Sequence, residues 1–284
     1  MKKNHAALFM VLAGISWSFA GVLGKFSQWG GLSLAGYRSL IAIFVLGLVR
    51  GSFRPVNTRW NWIGALGVAL TSMLFMTANK LTSAANAIVL QYAMTAIVIL
   101  FQVIVMRIRP RRIDVAAAVL VMAGVVLCFC QNLGQGRLAG DLLGFASAFT
   151  WAAVFLSAQM PGVDPMDYSY QGNLICALLS VNLLLDGNVR SSGMSGLLVA
   201  SAMGILNVMG YLFFSLSMRG SIDATAAAII ANIEPVLNPL WVLLFLGEDP
   251  GALTILGALV VLATVTIYSL AAGRQSKPES PDRT

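Results

Sequence analysis

The chain has 284 residues, of which 58% are hydrophobic and only 10% are charged, and its mean hydropathy is +0.83. Soluble domains are about 45–50% apolar, so this composition excludes an ordinary soluble enzyme or binding module and indicates a membrane protein. The formal net charge of +7 does not indicate a nucleic-acid-binding surface, because the basic residues lie in short segments between long apolar runs. The expected partner is the lipid bilayer.

Ten apolar segments follow one another along the chain, each long enough to cross a membrane as an α-helix. Eight of them contain no charged residue, and they cover residues 4–24, 60–79, 81–106, 115–136, 142–163, 168–185, 191–218 and 250–273. Two more, residues 26–49 and 224–247, are each interrupted by one charge, Arg38 and Glu234 respectively. Continuous apolar runs favour helices over barrel strands, whose pattern alternates. The sequence predicts an all-α polytopic membrane protein with ten transmembrane helices.

Basic residues between the segments predict how the chain is oriented. Of the 18 Lys and Arg residues, 13 fall in the termini and in loops on one side of the membrane, and four fall on the other side. Cytoplasmic loops carry the excess of Lys and Arg, so both termini are expected in the cytoplasm, with the helices in the inner membrane. The polar tail at residues 273–284 is predicted to be disordered and cytoplasmic.

Motifs for catalysis or cofactor binding are missing from the sequence. It contains no GxxxxGK[ST] phosphate loop, no HExxH metal motif and no GxSxG nucleophile motif. Cys128, Cys130 and Cys176 lie within apolar segments without the spacing of a metal site, so they are expected to pack as small apolar residues. The sequence thus predicts no metal, no cofactor and no enzymatic activity.

The two halves of the chain resemble each other. Trp17 and Trp151 each follow a hydroxyl residue in the first helix of their half, and AIVLQYAMTAIVILFQVIV from Ala87 aligns without gaps with AIIANIEPVLNPLWVLLFL from Ala228. Each half has five helices, an odd number, so the second half enters the membrane upside down and the sequence predicts an inverted repeat. The predicted repeat domains are residues 6–131 and residues 140–272. Repeats of this kind bind substrate near the midplane, where the halves meet.

A known family shares these features. The residues that carry the resemblance are Trp17, Trp151, Arg38, the run Glu234-Pro235-Val236 and the pair Gly247-Glu248. With them the chain resembles the EamA-type members of the drug/metabolite transporter superfamily, and within that group it is most similar to the YddG aromatic amino acid exporters. The resemblance implies a secondary transporter that exports aromatic amino acids, and others such as threonine or methionine, by alternating access. A multidrug or other metabolite exporter of the same superfamily is the alternative.

Glu234 and two prolines stand out in the ninth segment. Glu234 lies about 11 residues into its helix, roughly 16 Å deep and near the bilayer centre. A charge there costs about 2.5–3.5 kcal/mol, so it should face a cavity, find a partner or be protonated. Pro235 and Pro239 each remove a helix hydrogen bond, and Pro235 frees the carbonyl of Ala231. The segment is predicted to be a bent, cavity-lining helix with hinges at the prolines, while Glu234 serves either in coupling and substrate contact or in a structural network.

Arg38 and a group of aromatic and amide residues complete the candidate site. Arg38 could snorkel outward, pair with Glu234 or attract a substrate carboxylate. The residues predicted to bind substrate are Trp17, Tyr92, Gln91, Trp151, Asn207, Tyr211 and Asn232, with Trp241 as a further aromatic neighbour. Aromatic walls with a few polar groups suit a small zwitterion such as an amino acid, although ordinary helix packing is the alternative for many of them.

Energy coupling and assembly are left open by the sequence. Glu234 could carry a proton, but no second intramembrane carboxylate suggests a relay, so downhill uniport is equally compatible. A monomer is the working expectation. Small residues such as Gly140 and Gly144 could pack helices within one bundle or between two.

Overall fold

The computed structural model describes residues 3–82, 84–130, 138–220, 222–247 and 251–274, and within these ranges it is helical without strands. Its helices are α1 (Lys3–Phe26), α2 (Gly31–Arg50), α3 (Arg59–Leu81), α4 (Ala84–Tyr92), α5 (Met94–Ile104), α6 (Arg112–Phe129), α7 (Leu138–Ser157), α8 (Pro165–Leu179), α9 (Asn182–Leu185), α10 (Gly187–Ser191), α11 (Gly193–Met218), α12 (Ala224–Ala231), α13 (Ile233–Leu246) and α14 (Ala252–Arg274). The predicted tail, apart from its first two residues, and Glu248 lie outside the described residues.

Seven helical stretches in the described residues are long and apolar enough to cross a membrane. They are His5–Gly24, Gly31–Arg50, Arg59–Leu81, Asn86–Ile104, Leu138–Ser157, Gly193–Met218 and Ala252–Ala271. A shorter apolar helix covers Ala224–Leu237. The predicted segment at 168–185 is not a single helix, because α8 stops at Leu179 and the chain resumes as the short α9. The all-α class and the multi-pass membrane character are thus confirmed, while the count of ten spanning helices stays a prediction.

Side chains cap the helices that begin at one end of the bundle. Thr58 accepts a hydrogen bond from the third residue of α3, and Asp164 and Asp223 do the same for the first turns of α8 and α12. At the start of α6 the Asp114 carboxylate accepts a hydrogen bond from the backbone N–H of Arg111 at 2.9 Å. These acceptors satisfy backbone N–H groups that a helix start leaves without a partner, which fixes where each helix begins.

Two of the predicted transmembrane segments are broken near their middles. The first breaks at Ala93 between α4 and α5, and the second breaks at Asn232 between α12 and α13. At both breaks the backbone N–H turns to the carbonyl three residues earlier, Leu90 for Ala93 and Ile229 for Asn232. In the alignment of the two halves the breaks lie two positions apart. The interruption near Pro235 matches the predicted bent helix, whereas no proline announces the one at Ala93.

Helices of the two halves pack reciprocally. The first helix of each half contacts the third long helix of the other: α1 packs on α11, and α7 packs on α3. The last helices, α6 and α14, pack on each other through Gly124 and Gly257. A Cβ atom on Gly257 would lie 2.5 Å from the Gly124 carbonyl oxygen, so these backbones touch directly. This arrangement leaves the interior between α1, α2, α3, α7 and α11 for the site.

Asp186 joins two loops at the end of the bundle opposite the start of α1 and the end of α14. Its Oδ2 accepts hydrogen bonds from the Gly30 N–H at 2.8 Å and the Ser33 hydroxyl at 2.7 Å. The Ser33 hydroxyl, together with the N–H groups of Gly30 and Asn188, holds the pKa of Asp186 below its ordinary value. The ionised carboxylate therefore stabilises the contact between the start of α2 and the loop before α10.

Replacing Asp186 with alanine is expected to lower the Tm in detergent by a few degrees at pH 7, because the Gly30 N–H and the Ser33 hydroxyl lose their acceptor. The folded pKa is depressed, so the stabilisation is present above the unfolded pKa of about 3.9 and is lost as the pH falls through the folded pKa. Thermal unfolding at pH 7 and pH 3 should show the difference shrinking in acid. Arg190→Ala, an exposed change in the same segment, is the control, and an equal loss of Tm there would contradict the assignment.

Candidate functional site

A cavity lies inside the bundle where α1, α2, α3, α4, α7, α11 and α13 meet. Its walls are formed by Trp17, Ala20, Arg38, Thr71, Ser72, Phe75, Gln91, Trp151, Asn207, Tyr211 and Glu234. The centres of water molecules can occupy about 60 Å³ of it. One water needs about 10–15 Å³ by this measure, so the cavity admits several.

The structure brings most of the predicted site residues together at this cavity. Five of the seven predicted binding residues line it, namely Trp17, Gln91, Trp151, Asn207 and Tyr211, and so do both intramembrane charges. The other two, Tyr92 and Asn232, are fully buried behind the wall. In this structure neither side chain lines the cavity, and contact of Tyr92 and Asn232 with a substrate stays a prediction.

An aromatic cluster forms one side of the cavity. The ring centroids of Trp17 and Trp151 lie 5.2 Å apart at 73°, and those of Trp17 and Tyr211 lie 5.5 Å apart at 76°. Edge-to-face pairs of this kind are favourable for aromatic quadrupoles. Gly210 makes room for the cluster, because a Cβ atom there would overlap the indole of Trp17. The absence of a side chain at one position of α11 therefore sets where Trp17 lies.

Arg38 is a buried cation that forms no direct ion pair with any of the described residues. Its side chain neither snorkels nor forms an ion pair with Glu234: the residue is only 7% exposed, and its one hydrogen bond runs from Nη2 to the Ser72 hydroxyl at 3.2 Å. The Nε atom has no partner among the described residues. A buried charge normally requires a partner or a bound ion, because desolvation is costly. The cavity thus contains a guanidinium that is not held in an ion pair, beside open space and on the same wall as the Glu234 carboxylate.

Further polar groups on the wall also have no protein partner. Within the described residues, no hydrogen bond is formed by the side chains of Gln91, Asn207 and Tyr211 or by the indole N–H groups of Trp17 and Trp151. Buried polar groups are almost always hydrogen-bonded. Water or a bound molecule must therefore satisfy them, and the wall offers both donors and acceptors for this purpose.

Glu234 is tied to the break between α12 and α13. Tyr92 Oη lies 2.6 Å from Glu234 Oε2 and 3.2 Å from the carbonyl oxygen of Ala231. Pro235 has no N–H, so the helix offers that carbonyl no regular donor. On the other side of the break, Asn232 Nδ2 donates to Thr95 Oγ1 at 2.9 Å. Side chains from α4 and α5 thus hold the broken helix.

Two more predicted features lie away from the cavity. Trp241 stacks on Phe19 with centroids 4.5 Å apart and donates to the Ser18 hydroxyl at 2.7 Å, so it packs α13 on α1. Pro239 falls within the helical backbone of α13. Its ring, and the predicted hinge there, lie outside the described side chains.

An aromatic plug, defined as Phe155, Tyr168 and Phe214, packs behind Trp151 on one side of the cavity. All three are fully buried, and Phe155 and Phe214 lie at the ends of α7 and α11. The rings of Phe155 and Trp151 are 5.3 Å apart, and the rings of Phe155 and Phe214 are 5.2 Å apart. The plug lies between the tryptophan pair and the end of the bundle that holds the start of α1. The cavity extends in the opposite direction, toward Ala20 and Phe75.

Sequence reasoning missed the contribution of α3. Thr71, Ser72 and Phe75 all line the cavity, and Thr71 shares a hydrogen bond of 2.7 Å with Thr150 of α7. Two adjacent hydroxyl residues in an uncharged run were the available signal. The signal is weak because hydroxyl groups in apolar helices often bond to the backbone of their own helix, as Thr77 does.

Two broken helices beside a buried polar cavity, within a bundle of helices able to span a membrane, are features found in many transporters. The sequence pattern of the EamA-like transporter family matches residues 4–130 and again residues 138–270. The chain belongs to that family. This confirms the broader resemblance stated above, and the similarity to the YddG exporters stays a prediction.

Relatives along the whole chain are themselves named as transporters. The chain is 26% identical to the uncharacterized transporter YwfM of Bacillus subtilis, covering 99% of both proteins. It is 24% identical to the uncharacterized inner membrane transporter YicL of Salmonella typhimurium, covering 95% of this chain and 97% of that protein. A solved crystal structure superimposes with a TM-score of 0.77 at 22% identity, covering 96% of this chain and 99% of the other, which shows a shared fold. These matches support a transporter role.

Proposed function

We propose that the protein exports amino acids across the inner membrane by alternating access, chiefly the aromatic ones, with threonine and methionine as further substrates. The observation that carries this proposal is the Arg38 guanidinium, whose Nε has no partner among the described residues and which lies on the same cavity as the aromatic cluster and the unpartnered amides. A cavity of this composition complements a small molecule that has a carboxylate, an amino group and an apolar ring.

Each part of an aromatic amino acid has a partner on the wall. The carboxylate suits Arg38, whose planar guanidinium can donate two parallel hydrogen bonds to it. The amino group suits the Glu234 carboxylate and the amide oxygen of Asn207. The ring suits the faces and edges of Trp17 and Trp151. A cationic drug fits less well, because Arg38 would repel it, so the multidrug alternative has no observation in its favour.

The same proposal includes two inverted repeats, residues 6–131 and 140–272, with both termini in the cytoplasm. Three observations support it: the family pattern matches each half separately, the halves pack reciprocally, and each has one helix broken near its middle. With this orientation the aromatic plug closes the cytoplasmic side, so the structure corresponds to a state that faces outward. Inward opening would separate Phe155 from Phe214 while the broken helices bend, with Pro235 and Pro239 as the proposed hinges.

Uptake into liposomes tests the function. Purified protein is reconstituted, and entry of labelled tryptophan or phenylalanine is measured with threonine, methionine and a cationic dye as comparisons. Saturable entry of aromatic amino acids that unlabelled substrate inhibits would support the proposal. Movement of the dye with no amino acid transport would favour a multidrug exporter, and no flux of any amino acid would overturn the assigned substrate class.

Replacing Trp151 with alanine is expected to weaken phenylalanine binding about tenfold, because the ring loses an aromatic and apolar contact. Threonine binding should change less than about threefold, since its small side chain leaves most of that contact unused. Isothermal titration with both amino acids measures the two changes. Phe145→Ala is the control, because this ring is exposed on the outer face of the same helix. An equal loss for both substrates would point to general damage to the cavity.

A further inference from the structure

We propose that Glu234 and Tyr92 form a proton-binding site that controls the helix break at Asn232 and exchanges a proton for the substrate amino group. The proposal rests on the proposed function for its substrate, whereas the proton-controlled break is independent of which solute is carried. The Tyr92 hydroxyl has one proton to donate and two acceptor oxygens within reach.

The Tyr92 hydroxyl faces two acceptors with a single proton. Its oxygen lies 2.6 Å from Glu234 Oε2 and 3.2 Å from the Ala231 carbonyl oxygen. A phenol has one O–H donor, so it cannot make two full hydrogen bonds as a donor. The charge state of Glu234 decides which acceptor receives the proton, because a carboxylate attracts it more strongly than a carbonyl does.

When Glu234 is protonated, both bonds can form. The carboxyl O–H of Glu234 donates to Tyr92 Oη, and the Tyr92 O–H donates to the carbonyl of Ala231. When Glu234 releases its proton to water in the cavity, the Tyr92 O–H turns to the carboxylate, and the Ala231 carbonyl loses its donor. No covalent bond changes other than the O–H bond of the carboxyl group, and the proton passes to or from water.

The Ala231 carbonyl is the point where this change reaches the backbone. Pro235 removes the N–H that would normally bond to it, so Tyr92 is its donor in this structure. Ala231 is 1% exposed, and water therefore has little access to replace the lost bond. Asn232, the next residue, is bonded to Thr95 of α5. A change at the carbonyl is thus transmitted to both broken helices.

Few other charged groups act on Glu234. Tyr92 on α4 and Arg38 on α2 influence its carboxylate, and Tyr211 on α11 faces it across the cavity. The helices α1, α6 and α14 also pack on α13, but none of their described titratable side chains acts on the carboxylate. Arg38 favours the ionised form, and a substrate carboxylate bound to Arg38 would reduce that effect.

Substrate and proton therefore compete for one carboxylate. The ionised Glu234 can form an ion pair with the amino group of an amino acid, whereas the protonated, neutral form cannot. Linkage requires that each ligand weakens the binding of the other by the same factor. Entry of a proton from outside would release the substrate outward and restore the Tyr92 bond to Ala231, which describes exchange of one proton for one amino acid.

Hydrogen exchange without substrate tests the switch itself. Amide exchange of the segment 224–237 is followed by mass spectrometry across a pH series, after correction for the intrinsic pH dependence. The wild type should exchange at least about tenfold faster at high pH, where the Ala231 carbonyl has no donor. Glu234→Gln should stay slow at every pH, because its amide donates to Tyr92 as the protonated carboxyl does. Tyr92→Phe should be fast at every pH.

Tyr170→Phe supplies the matched control, since it also removes a hydroxyl bonded to a backbone carbonyl but lies away from the break. It should follow the wild type. The proposal is overturned if Tyr92→Phe keeps the wild-type pH dependence, or if Glu234→Gln still responds to pH. A substitution that merely unfolds the protein would accelerate exchange in all helices, and the other variant then decides the outcome.

Proton release measures the link to substrate. Adding phenylalanine to weakly buffered wild-type protein at a pH where Glu234 is protonated should release about one proton per amino acid bound, and Glu234→Gln should release none. Phenylalanine binding without proton release would overturn the proposed exchange of a proton for the substrate. If no amino acid binds while the exchange pattern appears as expected, the substrate assignment fails and the proton-controlled break stands.

Discussion

Replacing Arg38 with alanine is expected to weaken phenylalanine binding about 100-fold or more while the protein still folds. Removing one partner of a buried charge pair typically costs about 2–5 kcal/mol, and each 1.4 kcal/mol is a factor of ten. The folded state loses little, because Arg38 has only the Ser72 hydroxyl as a partner and no ion pair to break. Isothermal titration of purified wild type and variant measures the change in Kd.

Comparison of phenylalanine with phenethylamine, which lacks the carboxylate, separates a specific contact from general damage. The wild type should prefer phenylalanine strongly, and Arg38→Ala should bind the two compounds with similar affinity. Arg38→Lys should recover part of the preference, since it keeps the charge but not the planar pair of donors. Arg38 is not the carboxylate partner if the alanine variant still discriminates as the wild type does.

Replacing Gly210 with alanine is expected to reduce transport of aromatic amino acids at least about fivefold. The added Cβ atom would overlap the Trp17 indole, so the ring must move toward the cavity that the substrate uses. Overpacking of this kind costs about 1–3 kcal/mol, which corresponds to about 5-fold to 140-fold in binding. Initial rates of labelled phenylalanine uptake into liposomes measure the effect.

A second substitution shows whether the overlap is the cause. Trp17→Phe in the Gly210→Ala background should restore part of the uptake relative to Gly210→Ala alone, because the smaller ring leaves space for the methyl group. Gly24→Ala on α1 is the matched control, since a Cβ atom there meets nothing within 4 Å. A double variant no better than Gly210→Ala would place the defect elsewhere.

The charged and proline positions could be predicted from sequence because they contradict their surroundings. A carboxylate or guanidinium in an apolar segment has few places to lie. A cavity was one of three placements expected for Glu234, Arg38 was expected to snorkel, to pair with Glu234 or to attract a substrate carboxylate, and both line one cavity. Pro235 predicted an interruption of the helix, because proline removes a backbone hydrogen bond whatever its neighbours are. Such signals depend on single residues, so they can be recognised in the sequence without knowledge of how the helices pack.

The sequence did not predict in the same way which face of each helix is turned toward the cavity. Gln91 and Tyr92 are consecutive, and neighbours in an α-helix point about 100° apart. Gln91 therefore lines the cavity while Tyr92 points to α12 and bonds to Ala231. Asn232 also does not line the cavity, because it lies at the break and its amide bonds to Thr95. In a segment apolar on all sides, no polar face shows the direction of the interior.

The break at Ala93 was hidden for a different reason. Position 94 is methionine, so no missing N–H marks it, and the segment looks like a continuous helix. Its partner across the interface explains the break better than its own sequence does, because Tyr92 and Thr95 on either side bond to the broken helix α12–α13. Contacts between segments distant in sequence decide such features, and a single sequence does not display them.

The direct backbone contact between Gly124 and Gly257 limits how the molecule can change shape. Helices whose main chains touch have no side-chain layer to slide on, and Thr254 also donates to the Cys128 carbonyl at 2.9 Å across the same seam. If the two halves rock as proposed, the seam between α6 and α14 would be the axis about which the remaining helices tilt. A bulky residue at either glycine would then separate α6 from α14 without touching the residues that line the cavity.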